Sequence, residues 1–195
     1  MENIRRRVAT GLLAAAGLIV SCQTGPLLPS AEERQEAAQA VIGNWSEFCR
    51  LSAARLIEEH GPPDEIESGR LTWHRQGLLD TLSAWNVPSE FEAAGGAGNI
   101  ESSVAYVMPS GKKEQLAAFD HELRVSRDGT KLAATSNSEA LNFLALNLAD
   151  EIVRGIKTPQ EARDFYAETT ELAAAGKTSP FMQGLLFLPS ESRRH

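Results

Sequence analysis

Groups able to do chemistry are scarce in this chain of 195 residues. It holds four histidines (His60, His74, His121 and His195), and none of the spacings HxxxH, HExxH or CxxC that bring metal ligands together occurs. There is no G-x-S-x-G around a serine. Gly95-Gly96-Ala97-Gly98 lacks the Gly-Lys-Ser/Thr ending and the following helix of a phosphate loop, so it reads as a flexible loop. Asp120-His121 are neighbours in sequence, which fits a solvated turn pair better than a catalytic dyad. Basic residues are outnumbered 19 to 26, giving a net charge of −7, and such a chain repels phosphate backbones and anionic membrane surfaces. Nucleic acid is therefore excluded as a partner. Repeats and low-complexity tracts are missing too. These absences predict no catalytic, cofactor-binding or metal residues and no cofactor.

What is present starts at the N-terminus. Arg5, Arg6 and Arg7 precede an apolar run from Val8 to Val20, followed by Ser21 and Cys22. The run is shorter than the ~20 residues needed to cross a bilayer. A basic cluster, a short apolar segment and a small residue make the layout of a secretion signal. Leu18-Ile19-Val20-Ser21-Cys22 resembles the lipobox of bacterial lipoproteins. That resemblance implies cleavage after residue 21 and acylation of Cys22 on its thioether and its amine. Each buried methylene adds about 0.8 kcal/mol, and two chains already anchor stably. Gln23 follows the cysteine, where Asp would stand in an inner-membrane lipoprotein of the enterobacterial type. The expected location is thus the cell envelope, on the periplasmic face of the outer membrane.

With Cys22 given to lipid, Cys49 has no partner for an intramolecular disulfide. It falls on an apolar helix stripe and reads as a buried, inert thiol. Loss of residues 1–21 leaves 16 Lys+Arg against 25 Asp+Glu, so lipid, not basic charge, must hold the protein to the membrane. The 174 residues that remain suit one domain. We divide the chain into a signal peptide (1–21), a tether (22–29) broken by Gly25-Pro26 and Pro29, and a globular domain (30–195).

Ser30-Ala31-Glu32-Glu33 has capping-box spacing and predicts a helix to about Ile42. Its early part is polar or alanine, as if it continued the tether. A second helix from Asn44 places Trp45, Phe48, Cys49, Ala53, Leu56 and Ile57 on one face and ends at His60-Gly61-Pro62-Pro63. Alternation predicts strands at Leu71–His74, Leu78–Val87 and Ser103–Met108, with a Gly/Ala-rich loop from Pro88 to Asn99. A short helix is expected over Lys112–Asp120, then a hairpin around Asp128-Gly129. Helix Glu139–Arg154 is apolar over more than half its circumference and must be covered on several sides. Thr158-Pro159-Gln160-Glu161 opens another helix, with Ala162, Phe165, Tyr166, Thr169 and Leu172 on its packing side. Phe181 to Leu188, bounded by Pro180 and Pro189, reads as a final strand or an extended arm on the domain, with a sticky arm for a partner as the sharper reading.

The segment Ala53-Ala54-Arg55-Leu56-Ile57-Glu58-Glu59-His60-Gly61-Pro62-Pro63-Asp64-Glu65 followed by Leu71-Thr72-Trp73 carries a further resemblance. With Leu116–Asp120, Asn142-Phe143-Leu144-Ala145-Leu146-Asn147-Leu148-Ala149 and Glu161–Tyr166, it looks like a family of uncharacterised bacterial proteins over about residues 46–187. That resemblance implies kinship without an activity. The chain departs from the family at Gly77-Leu78-Leu79 and in the loop Pro88 to Asn99, where the family carries Gly-Pro-Trp and histidines. A ligand or metal held by those histidines would not be held here. Residues 46–87 also distantly resemble small lipoproteins of the outer-membrane β-barrel assembly machinery.

The expected fold is a single α+β domain, with an antiparallel sheet of about four or five strands packed against the central helix Glu139–Arg154 and flanking helices. Three functions compete. The first is a lipid-anchored envelope protein acting through a protein partner. The second is a periplasmic small-ligand binder, with Trp85 and the loop 88–99 as a pocket mouth. The third is a hydrolase, which requires His74 or His121 within hydrogen-bond reach of a Ser, Asp or Glu in a cleft.

Overall fold

A computed structural model describes residues 28–87, 98–119 and 122–190. Helix α1 (Ala31–Ile42) begins at the expected capping box, with Ser30 and Glu33 bonding each other's backbone amides. It buries only Ala38 and Ile42. Helix α2 (Glu47–His60) starts later than the pattern suggested, because Ser46 is the cap and accepts from the Cys49 amide. Trp45 therefore sits in the preceding turn, buried, and its indole N–H donates to the Ser68 carbonyl at 2.9 Å. Gly61 ends α2 at a φ of 77°.

Six antiparallel strands follow in chain order: β1 (Glu65–Glu67), β2 (Arg70–His74), β3 (Thr81–Trp85), β4 (Ile100–Ala105), β5 (Leu123–Val125) and β6 (Lys131–Ser136). They lie side by side as β1-β2-β3-β4-β6-β5. The expected fold class holds, with one strand more than the upper estimate. The addition is the three-residue β1, paired through Glu65↔Thr72 and Glu67↔Arg70. Strand β3 is shorter than Leu78–Val87, and Leu78 is left exposed in the turn before it. Strand β4 lies three residues earlier than Ser103–Met108. Beyond its end the chain still bonds to the hairpin, Tyr106 N–H to Thr130 O and Met108 N–H to Gly129 O, both at 2.8 Å.

Register assigns the two faces. Leu71↔Ala84, Trp73↔Leu82, Ser102↔Ala134 and Val104↔Leu132 place the apolar residues on one side. Thr72↔Ser83, Thr81↔Ser103 and Glu101↔Thr135 place small polar side chains on the other. Between β5 and β6 the Asp128 carboxylate accepts from the Ser126 hydroxyl and from the Thr130 amide and hydroxyl. Those bonds, the Ser126 one foremost, hold its pKa down at about 2.

Helix α3 (Lys113–Phe119) occupies the expected short helix. Helix α4 (Glu139–Val153) is the enclosed spine: Leu144, Leu146, Leu148 and Ala149 are wholly buried. It lies on β4 and β6 and is flanked by α3 and by α5 (Pro159–Ala174). Two polar residues on it are as buried as the leucines. Asn142 donates to the Ile100 carbonyl (3.1 Å) and the Ser102 hydroxyl (3.2 Å), fastening the helix to β4. Asn147 donates to the carbonyls of Phe181 (3.0 Å) and Gly184 (2.8 Å) and accepts from the Leu186 amide (2.7 Å).

The Asn147 bonds settle the C-terminal run. It forms no strand: a 3-10 turn (Pro180–Met182) leads into an arm laid against α4. Phe181, Leu185 and Phe187 pack on the core, whereas Leu188 is 84% exposed. Two other expectations fail at the edges of helix faces. Leu172 is about half exposed on α5, and Phe48 is 37% exposed on α2, because no element lies over either position fully. Cys49 is wholly buried, as expected, and accepts from the Val87 amide at 3.4 Å.

Substituting Asn147 with Leu leaves two carbonyls and an amide without their side-chain partner. An unfolding titration in urea should show a loss of about 2–4 kcal/mol. Limited proteolysis should then cut within residues 177–190 first, and a tail as resistant as wild type would contradict the anchoring role given to Asn147.

Candidate functional site

Helix α2 ends where α4 begins, and the sequence prepares both ends electrostatically. His60 is the last residue of α2, at the negative end of its dipole, and Glu139 is the first of α4, at the positive end. Gly61 turns the chain away after His60, and Ser138 caps α4 by accepting from the Leu141 amide at 3.2 Å. The two helix ends meet through His60 Nε2 and Glu139 Oε2 at 2.8 Å. Both side chains are sheltered, with exposures of 20% and 12%. Glu59 joins them: its carboxylate, the Glu139 carboxylate and the His60 ring nitrogen all lie within 4.8 Å of one another. Arg55, one turn earlier, binds Glu59 at 3.0 Å on the exposed side.

The hydrogen bond that His60 donates to the Glu139 carboxylate is the main reason that its pKa is raised above the usual 6.5. Burial opposes it. The charges of Glu139 and Glu59 and a side-chain hydrogen bond with Gln76 add to the rise.

Glu59 and Glu139 also line a groove of about 550 Å³ between α2 and the start of α4. Phe48, Leu51, Leu56, Phe143 and Met182 supply its apolar wall, and Ser52, Arg55 and Gln183 its polar one. The exposed Phe48 and Leu51 belong to this wall. The size falls in the range of small-molecule sites, roughly 300–1,000 Å³.

The other sequence candidates lie elsewhere. His74 reaches Glu65 at 2.8 Å, but on the polar face of the sheet near its edge, and neither residue lines the groove. Trp85 is half-buried with the Arg70 guanidinium 5.8 Å from its ring centre, and it does not line the groove either. Cys22, His121, His195 and most of the loop 88–99 lie outside the described residues. Sequence reading placed His60 at a helix end but left the histidines scattered, so the convergence of Glu59, His60 and Glu139 went unseen. The available signal was the pair of oppositely charged residues at two helix termini. Comparison with family models, curated proteins and solved structures finds no match.

In protein treated with a chelator, NMR titration should give His60 a midpoint above 6.5, and Glu139→Gln should lower it. A raised histidine pKa stabilises the fold fully below the unfolded value near 6.5 and loses that contribution as pH rises through the folded midpoint. Thermal unfolding should show wild type losing its advantage over Glu139→Gln across that window. An advantage that grows with pH would refute the assignment.

Proposed function

We propose that this chain is a lipid-anchored protein of the bacterial cell envelope, held to the membrane through acylated Cys22, that acts by binding an envelope protein partner. The observation carrying this reading is the run from Arg5 to Cys22, whose charge, length and Ser21-Cys22 ending match a lipoprotein signal. Gln23 favours the periplasmic face of the outer membrane. The fold is consistent with a leash. Helix α1 starts at Ala31, so the segment from Cys22 spans at most about 30 Å when fully extended, which keeps the domain near the bilayer. None of the described helices is long and apolar enough to cross a membrane, so the attachment proposed for this domain is the lipid. Net acidity and the exposed Phe48 and Leu51 support a protein partner over an anionic lipid surface.

A specific observation favours a second reading, small-ligand binding: the groove between α2 and α4 has the volume for it. Trp85 is not among the residues lining that groove.

Growth with radioactive palmitate should label wild type and leave Cys22→Ser unlabelled, and the variant should leave the membrane fraction. Equal labelling of both would end the anchoring argument. Pull-down from detergent-solubilised envelopes should recover a partner with wild type, and recovery as a bare monomer would count against the interaction.

A further inference from the structure

We propose that Glu59, His60 and Glu139 form a binding site for one zinc-class divalent cation at the wall of the α2–α4 groove. The donor set suits such an ion: one imidazole nitrogen and two carboxylates favour zinc, cobalt, nickel or copper over calcium or magnesium, which take oxygen alone. Geometry agrees. Ligands at about 2.0–2.2 Å from a tetrahedral ion lie about 3.3–3.6 Å apart. His60 Nε2 and Glu139 Oε2 stand 2.8 Å apart and all three groups fall within 4.8 Å, so rotation of the Glu59 carboxylate completes the triangle without moving a helix. The contact that a proton now bridges is the one a cation would bridge.

Two further features point the same way. The competing cation, Arg55, holds Glu59 from an exposed position (76%) and yields at little cost. Glu59 and Glu139 both line the groove, so an ion between them has its fourth position open to whatever enters there. An anionic donor such as a carboxylate fits that position.

The test uses the full chain in detergent, stripped with EDTA and titrated with Zn²⁺ against a chromogenic chelator. One ion per chain should bind. His60→Gln and Glu139→Gln should each weaken it by at least about 100-fold, the upper end of what losing a mere supporting bond costs. His74→Gln, which alters the other His–Glu pair, should bind as wild type. Thermal unfolding reports whether each variant is folded, and Zn²⁺ should raise the melting temperature of wild type alone among wild type and the two ligand variants. Should a ligand variant fail to fold, paramagnetic Co²⁺ added to wild type decides by NMR: broadening of the His60 ring signals supports the site, and broadening confined to another histidine overturns it. No binding at about 100 μM Zn²⁺, the range of a weak surface contact, likewise overturns it.

Discussion

The fold depends on the hydrogen bonds that polar side chains make from a helix enclosed on nearly every side. Helix α4 has to be covered because its leucines leave no polar stripe for water, yet Asn142, Asn147 and Asp150 lie among them. A buried amide without partners costs about 1–3 kcal/mol, so each of these groups dictates what must lie against it. Asn142 selects the start of β4, Asn147 selects the C-terminal arm, and Asp150 accepts from the Tyr106 hydroxyl at 3.0 Å. Tyr106 in turn meets the edge of Phe187, so the arm and the segment after β4 are fixed to the same turn of α4. Burial, with the Asp150 charge behind it, pushes the Tyr106 phenol up, which keeps it a donor at any ordinary pH. Apolar packing alone would allow these neighbours to slide, and the polar bonds fix which residue sits where.

Much of this architecture was legible because it is written locally. Capping boxes at Ser30 and Thr158, the Asp128-Gly129 turn and the period of α4 each act within a few residues. What could not be read depends on distant partners. Glu65-Ile66-Glu67 becomes a strand only because β2 lies beside it, three residues being too few to show alternation. Ile100 to Ser102 fall outside the expected strand Ser103–Met108, but Ser102 faces Asn142 and so belongs to β4. The run Phe181–Leu188 was apolar enough for a strand, but its backbone groups are claimed by one asparagine side chain 34 or more positions away.

The candidate site was hidden for the same reason. His60 and Glu139 are 79 residues apart, and no spacing rule connects them. Each end was legible alone: α2 stops at Gly61, and Ser138 begins α4. Their meeting follows from sheet order, because α2 covers the β3 side of the sheet while α4 spans β4 and β6. A residue that caps one helix dipole and a residue that caps the other are brought together wherever two helix termini of opposite polarity meet. The sequence held both charges without indicating that they face each other.

The proposed leash and the groove would act on different parts of the molecule. Helix α1, the described helix nearest the proposed anchor, contributes only Ala38 and Ile42 to the core. It leans on α2 and β1. The groove uses a different face of α2, from Phe48 to Glu59, and is closed by the first turn of α4 and by Met182 of the arm. Tension or tilt at the membrane end would thus strain α1 before it reached the groove. The rigid walls are those that the α4 asparagines hold in place: Ile100 is fixed by Asn142, and the turn carrying Met182 by Asn147. Polar groups that specify one packing of the core therefore also set the geometry of the groove.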